Sequence, residues 1–310
     1  MVWGGEKIPR YKGLESNLTS IGESWEISGV PGHLSTVAEG PLKGRTLEDL
    51  VKEYKGQLVG EHVYERFGEL FPLLIKFIDA RTNLSIQVHP DDDMAMRRHG
   101  ERFGKTEMWY VVDADPGASL YCGLAKEITP EEYAARVADG TITDVLARYE
   151  VHPGDVFFLP AGRIHAICSG CFIAEIQQTS DLTYRIWDYG RLGLDGKPRQ
   201  LHTELAQEAI DYTVLKDYRT PYTPLQDEEV EVVNCDYFTT SILDLTLPYA
   251  KDLSGIDSFT VVMCLSGAGT MEVDGEEVSL QQGQTVLIPA TADDACFIPL
   301  ERMKLLVSHL

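Results

Sequence analysis

The chain is poor in positive charge, in cysteine and in long apolar runs. Its 310 residues include 27 Lys and Arg against 49 Asp and Glu, a formal net charge of −22. Such a surface repels polyanions, and no basic stripe interrupts it, so nucleic acid is not an expected partner. The six cysteines, at 122, 168, 171, 235, 264 and 296, lack the dense spacing of a secreted disulfide scaffold. Cys168 and Cys171 form a lone CxxC with no second pair, which reads as buried structural thiols. The most hydrophobic stretch, FPLLIKFI from Phe71, is broken by Lys76 and is too short to span a bilayer. The opening MVWGGEKIPRYKG has no apolar signal-like region, so a cytoplasmic protein with no membrane partner is expected.

What is present is a succession of short runs rich in Val, Ile, Phe and Tyr: SWEIS, NLSIQVH, EMWYVV, DVFFLP, CFIAEIQQ, FTVVMCL, GTMEVDG and TVLIPA. Gly, Pro, Asp and Asn separate them, the signature of β-strands in a sandwich or barrel. Helices are fewer. Thr46 opens one into LEDLVKEY, Thr129 caps another that begins at Pro130 and stops at Gly140, Thr203 begins TELAQEAI, and DDDMAMRRHG follows Pro90. GDVFFLPAGRIH from Gly154 is echoed by GQTVLIPATADD from Gly283, with five residues between Gly and Pro in both. The second copy has Thr291 and Asp294 where the first has Gly162 and His165, so a C-terminal module without metal is expected. A Pro-containing, charged connector places the boundary near residue 220, giving domains 1–220 and 221–310.

Residues i and i+2 of a strand share a face, so Gln87 and His89 of QVHP present two ligand-capable side chains together. The pattern Gly154, Pro160, Gly162, His165 then supplies a histidine behind a rigid Pro-Ala-Gly corner, and the two segments together suggest a divalent metal site.

Gly154, Pro160, Gly162 and His165 match the second motif of the cupin superfamily. With WGG at the start, GESWEIS, LSIQVHPDD, GKTEMWYVV, PAGRIHAI and EIQQTSDLTYRIWDYGR, the whole chain resembles the type I phosphomannose isomerases in their short bacterial form. That resemblance implies a mainly β fold of two cupin-like barrels (jelly rolls), the first carrying a few helices and the metal site, the second degenerate. It implies one zinc ion per chain and interconversion of mannose 6-phosphate and fructose 6-phosphate, with a small phosphorylated sugar as partner. The implied metal ligands are Gln87, His89, Glu107 and His165. Two imidazoles and a carboxylate suit a catalytic zinc with open positions, and Gln87 serves equally as a neighbour of the ligands. The sum of charges is +1, a sign that suits an oxyanion forming on the sugar.

Aldose–ketose exchange must lift a proton from a carbon beside a carbonyl and return it to the neighbouring carbon through an enediol. The implied catalytic residues are Arg185, a permanent cation, and Lys105 and Glu175 as candidate acid/base groups. Lys105 lies two residues before Glu107 and shares its face if the segment is extended; burial beside a dication would disfavour its ammonium form, while the same field would keep Glu175 ionised. The implied phosphate contacts are Ser85, Lys76 and Arg191. The large extra helical domain of longer family members is missing, and only the stretch around residues 129–150 interrupts the first barrel. The ligand types also admit another cupin metalloenzyme, either an Fe-dependent oxygenase or a different sugar-phosphate isomerase, and a non-catalytic sugar-binding cupin is a third reading.

Overall fold

The structure, a computed structural model, describes residues 1–193 and 195–310. Ten strands precede residue 190: β1 (Glu23–Ile27), β2 (Leu73–Asp79), β3 (Ile86–Val88), β4 (Glu107–Ala114), β5 (Ser119–Leu124), β6 (Leu146–Glu150), β7 (Val156–Leu159), β8 (His165–Ile167), β9 (Cys171–Gln178) and β10 (Tyr184–Trp187). They form two five-stranded sheets, ordered β1-β2-β9-β4-β7 and β10-β3-β8-β5-β6. Seven more strands follow: β11 (Glu229–Cys235), β12 (Phe238–Leu245), β13 (Tyr249–Asp252), β14 (Thr260–Val273), β15 (Glu276–Gln281), β16 (Thr285–Ile288) and β17 (Asp294–His309). These make one sheet, ordered β11-β12-β17-β14-β15, with β13 on β17 and β16 on β14. The helices are α1 (Lys7–Tyr11), α2 (Leu47–Tyr54), α3 (Gly56–Val59), α4 (Glu61–Phe67), α5 (Asp92–His99), α6 (Pro130–Asp139) and α7 (Thr203–Ala209). Among the described residues no helix is long and apolar enough to cross a membrane.

By its contacts the chain divides into two compact units. One comprises Met1–Arg10, Glu15–Ser24 and Ile75–Thr220; the other comprises Tyr11–Leu14, Trp25–Leu74 and Pro221–Leu310. The helical segment α2–α4 therefore groups with the C-terminal strands rather than with the first unit.

Strand periodicity builds the core of the first unit. Ile78, Trp109, Val111, Phe157 and Ile173 from one sheet meet Leu120, Cys122 and Ile167 from the other in a single buried cluster. The alternate residues of the second sheet, Ile86, Val88, Ala166, Tyr184 and Ile186, pack outward against Tyr133 and Val137 of α6 and Ala206 of α7. Because side chains alternate, this outward set turns Ser85, Gln87, His89 and His165 inward between the sheets. Helix α6 is set by its ends: Thr129 accepts from the Glu132 amide, Pro130 occupies the first turn and Gly140 closes it in the left-handed region.

In the second unit the core is Leu243, Leu245, Val262, Met271, Phe297, Leu305 and their neighbours. FTVVMCL and GTMEVDG, which read as two strands, are one 14-residue strand, β14, with register shifts at Cys264/Ser266 and Gly267/Gly269. Small irregularities of this kind let a long strand bend without ending. The expected repeat is built twice: Gly154 and Gly283 both turn at positive φ, β7 and β16 follow, and each ends just before Pro160 or Pro289. Helix α4 has no capping side chain of its own. The carboxylate of Asp257, distant in sequence, accepts from the Glu61 and His62 amides at 2.7 and 2.9 Å.

Candidate metal centre

Three strand ends deliver the ligand-capable groups. His89 stands immediately after β3, where Pro90 stops the ladder; Glu107 is the first residue of β4, and His165 the first of β8. The Pro-Ala-Gly corner couples two of these ends, because the Gly162 amide donates to the His89 carbonyl at 2.9 Å. All three side chains are buried, Glu107 completely. Their ligand atoms lie within 4.8 Å of one another, with His165 Nε2 3.3 Å from Glu107 Oε1 and His89 Nε2 3.6 Å from Glu107 Oε2.

The proton positions follow from the partners. His89 Nδ1 faces the Leu182 carbonyl at 2.8 Å and His165 Nδ1 faces the Arg163 carbonyl at 2.7 Å. A carbonyl only accepts, so each Nδ1 carries the hydrogen and each Nε2 keeps a lone pair, which faces Lys105 Nζ at His89 and the Gln87 amide nitrogen at His165, with Glu107 close by. Burial, reinforced by Lys105, holds both rings neutral: His89 falls well below the ordinary histidine value and His165 to about 4. Burial and the nearby Glu175 carboxylate push Glu107 up, against the pull of Lys105. Neither Glu107 oxygen accepts a hydrogen bond of good geometry, although Lys105 Nζ sits 2.8 Å from Oε2 as an ion pair. Two neutral imidazole lone pairs and a buried, under-satisfied carboxylate aimed at one point fit a divalent cation.

Gln87 adjoins this point. It is opposite His165 in register, its amide nitrogen is 3.3 Å from His165 Nε2, and its oxygen accepts from Ser85 at 3.4 Å. In this orientation the amide presents N–H, not the oxygen expected of a ligand. A half-turn about the amide exchanges the two ends, and the Ser85 hydroxyl can accept as well as donate.

A cavity of about 520 Å³ adjoins the group through Gln87 and Lys105, which line it and contact His165 and His89. Lys76, Ser85, Gln87, Lys105, Trp109 and Glu175 line it, as do Arg185 and Arg199. The expected sharing of a face by Lys105 and Glu107 is observed: Lys105 Nζ lies 3.2 Å from His89 Nε2 and 3.9 Å from Glu175. Glu175 is held on both sides, by Lys76 Nζ at 3.0 Å and by the Trp109 indole N–H at 2.6 Å. Burial alone would raise its pKa, but Lys76 and Lys105 outweigh burial and hold it below the usual carboxylate range. Lys76 is buried against Glu175 and Glu23, which keep its ammonium charged despite burial. Its charge is therefore matched inside the protein rather than free for phosphate alone.

The structure does not put Arg191 on the cavity wall. Its guanidinium is spent on Asp188, on the Asn83 carbonyl and on the Thr82 hydroxyl. Arg199, in the stretch GKPRQ, lines the cavity instead and shares the same Asp188. Neither Arg199 nor the Trp109–Glu175 bond was expected. A loop arginine carries no periodic signal, whereas Trp109 was discoverable, because it lies two residues after Glu107 on the same strand and must share its face.

A model of the phosphomannose isomerase type I catalytic domain matches residues 2–112, and a model of the mannose-6-phosphate isomerase cupin domain matches residues 228–310. The chain is 35% identical to GmuF of Bacillus subtilis (strain 168) over 93% of this chain and 90% of that one. It is 33% identical to the mannose-6-phosphate isomerase of Streptococcus mutans serotype c, covering 94% and 89% of the two. Among solved structures, the mannose 6-phosphate isomerase from Bacillus subtilis superposes with a TM-score of 0.89 at 32% identity, over 100% of this chain and 96% of that one.

Proposed function

The chain belongs to the type I phosphomannose isomerases, and we propose that it interconverts mannose 6-phosphate and fructose 6-phosphate with one zinc ion held by His89, Glu107 and His165. One observation carries the metal reading: the Nδ1 hydrogens of both histidines are committed to backbone carbonyls, which leaves two Nε2 lone pairs and the Glu107 carboxylate within 4.8 Å of one another. The donor set of two imidazoles and a carboxylate suits zinc, with Gln87 as a fourth ligand through its oxygen or as a brace for His165. When bound, the ion supplies a Lewis acid for the sugar oxygens at C1 and C2.

The remaining work falls to this chain's side chains. The reaction moves a proton from C2 of the aldose to C1 and, through the enediol, the hydroxyl proton from O2 to O1; a single group on one face of the sugar can carry the carbon-bound proton. Glu175 is a poorer choice, because the Trp109 indole N–H bonds one of its oxygens and Lys76 faces the other as an ion pair. Lys105 is the better one: its Nζ stands at the cavity wall beside the ligand group, and Glu175 and Glu107 orient it. Arg185 lines the same cavity with a buried Nε–H that has no partner, and donates its fixed charge to oxyanion character on the substrate. The apolar face of Trp109 limits water near the reacting carbons.

Catalysis is assigned to the first unit alone. At the position matching His165 the second carries Asp294, an exposed carboxylate, and we read that unit as a metal-free module. A cytoplasmic location accords with six free thiols. The test is an enzyme-linked assay for fructose 6-phosphate formed from mannose 6-phosphate, before and after chelation and zinc repletion. Isomerisation lost and restored supports the reading; none under repletion, or oxygen uptake without isomerisation, removes it.

A further inference from the structure

Two guanidinium groups bond one carboxylate beside the cavity, and a third, that of Arg185, feels the same charge. Asp188 is buried, directly after β10, and accepts from Arg191 Nη2 at 2.5 Å and from Arg199 through a two-pronged contact, Nε at 2.7 Å and Nη2 at 2.6 Å. The same strap of chain secures Arg185: its Nη1 donates to the Gln200 carbonyl at 3.2 Å, its amide donates to His202 Nδ1, and the His202 amide returns a bond to the Arg185 carbonyl. One carboxylate against three guanidinium groups leaves a local charge of about +2, the complement of a phosphate monoester dianion.

The three arginines differ in what they still have to offer. Arg191 is consumed by Asp188, Asn83 and Thr82. Arg199 bonds Asp188 along its Nε–Nη2 side, so its outer Nη1–Nη2 edge keeps hydrogens for a second fork, and it lines the cavity. Arg185 also lines the cavity and has a buried Nε–H without a partner. Asp181 and Asp195 on the same rim are exposed and therefore screened by solvent.

We propose that Arg199, rather than Arg191, anchors the sugar phosphate, and that Asp188 is the positioning residue that fixes the Arg199 guanidinium with its outer edge turned to the cavity. Arg191 then serves as a brace that ties Asp188 to the Thr82–Asn83 turn. The inference rests on the phosphosugar reading above and names the residues of its anionic end.

The test compares Arg199→Ala, Arg199→Lys, Arg191→Ala and Asp188→Asn in the metal-loaded enzyme, by KM and kcat for mannose 6-phosphate and by calorimetric binding of inorganic phosphate. Arg199→Ala is expected to raise KM and weaken phosphate binding by about tenfold or more, with a smaller change in kcat. Arg199→Lys, which keeps the charge but not the fork, recovers part of that loss, and Asp188→Asn shifts KM in the same direction as Arg199→Ala. Arg191→Ala moves both quantities less. The proposal is overturned if Arg199→Ala leaves KM and phosphate binding within twofold of the parent, or if Arg191→Ala has the larger effect. Should the parent bind phosphate through Arg199 yet isomerise no mannose 6-phosphate, the anchor stands and the substrate assignment falls. Isomerisation with an indifferent Arg199 has the opposite meaning.

Discussion

Replacing Lys76 by Met would remove the cation that balances Glu175 while nearly conserving volume. Lys76 is 6% exposed and Glu175 2%, and their charged atoms are 3.0 Å apart, so bulk water compensates little for the lost contact and only the adjoining cavity can supply any. Breaking a buried pair by removing one partner costs about 3–5 kcal/mol, because the other charge is left uncompensated. Lys105, at 3.9 Å, and the Trp109 N–H still face Glu175, which places the expectation near about 3 kcal/mol. The sign with pH follows. In the parent, Glu175 is held below its unfolded value, so its contribution is present above the ordinary carboxylate range and is lost as pH falls through the depressed folded value. In Lys76→Met burial pushes the carboxyl upward instead; the penalty is full at neutral pH and fades as pH falls and the carboxyl protonates. Urea unfolding with chelator present, followed by tryptophan fluorescence at neutral pH and near pH 5, measures both. Adding Glu175→Gln to Lys76→Met should recover much of the loss. A cost below about 1 kcal/mol at neutral pH, or one that grows on acidification, refutes the claim that Lys76 balances the buried Glu175 charge.

Other expectations concern the site more directly. His165→Ala should lose bound metal and isomerase activity together, whereas Arg185→Ala should keep the metal and lose turnover; metal analysis beside a rate assay separates them, and full turnover in the arginine variant sinks its role. Gly162→Ala should be destabilising by about 1–3 kcal/mol and should weaken metal retention, because φ is +86° there, a Cβ would meet the Ala209 carbonyl oxygen at 2.9 Å, and the Gly162 amide holds the His89 carbonyl. Unchanged melting with unchanged metal content contradicts this.

The parts of the molecule that local rules govern were readable from the chain. Runs such as CFIAEIQQ and DVFFLP became β9 and β7, and Thr129 with Pro130 and Gly140 bounded α6 as expected. His89 and His165 were readable as ligand candidates because strand alternation and the Pro-Ala-Gly corner fix their direction, whereas Glu107 entered only through the family resemblance. Other features depend on partners far away in sequence. Helix α4 follows a glycine-broken stretch and is capped by Asp257; Lys76 finds Glu23 and Glu175; Arg191 and Arg199 divide one Asp188. The family resemblance points to Arg191 but cannot reveal that Asp188 and the Thr82–Asn83 turn absorb its donors. The alternation of β3 similarly turns Gln87 toward His165 without deciding which end of the amide faces inward.

Crystals grown with zinc and measured at the zinc absorption edge test the central claim most directly. The account predicts one anomalous peak per chain between His89 Nε2, His165 Nε2 and the Glu107 carboxylate, at about 2.0–2.2 Å from each. A peak elsewhere, or the two Nε2 atoms turned away from a shared centre, would contradict it.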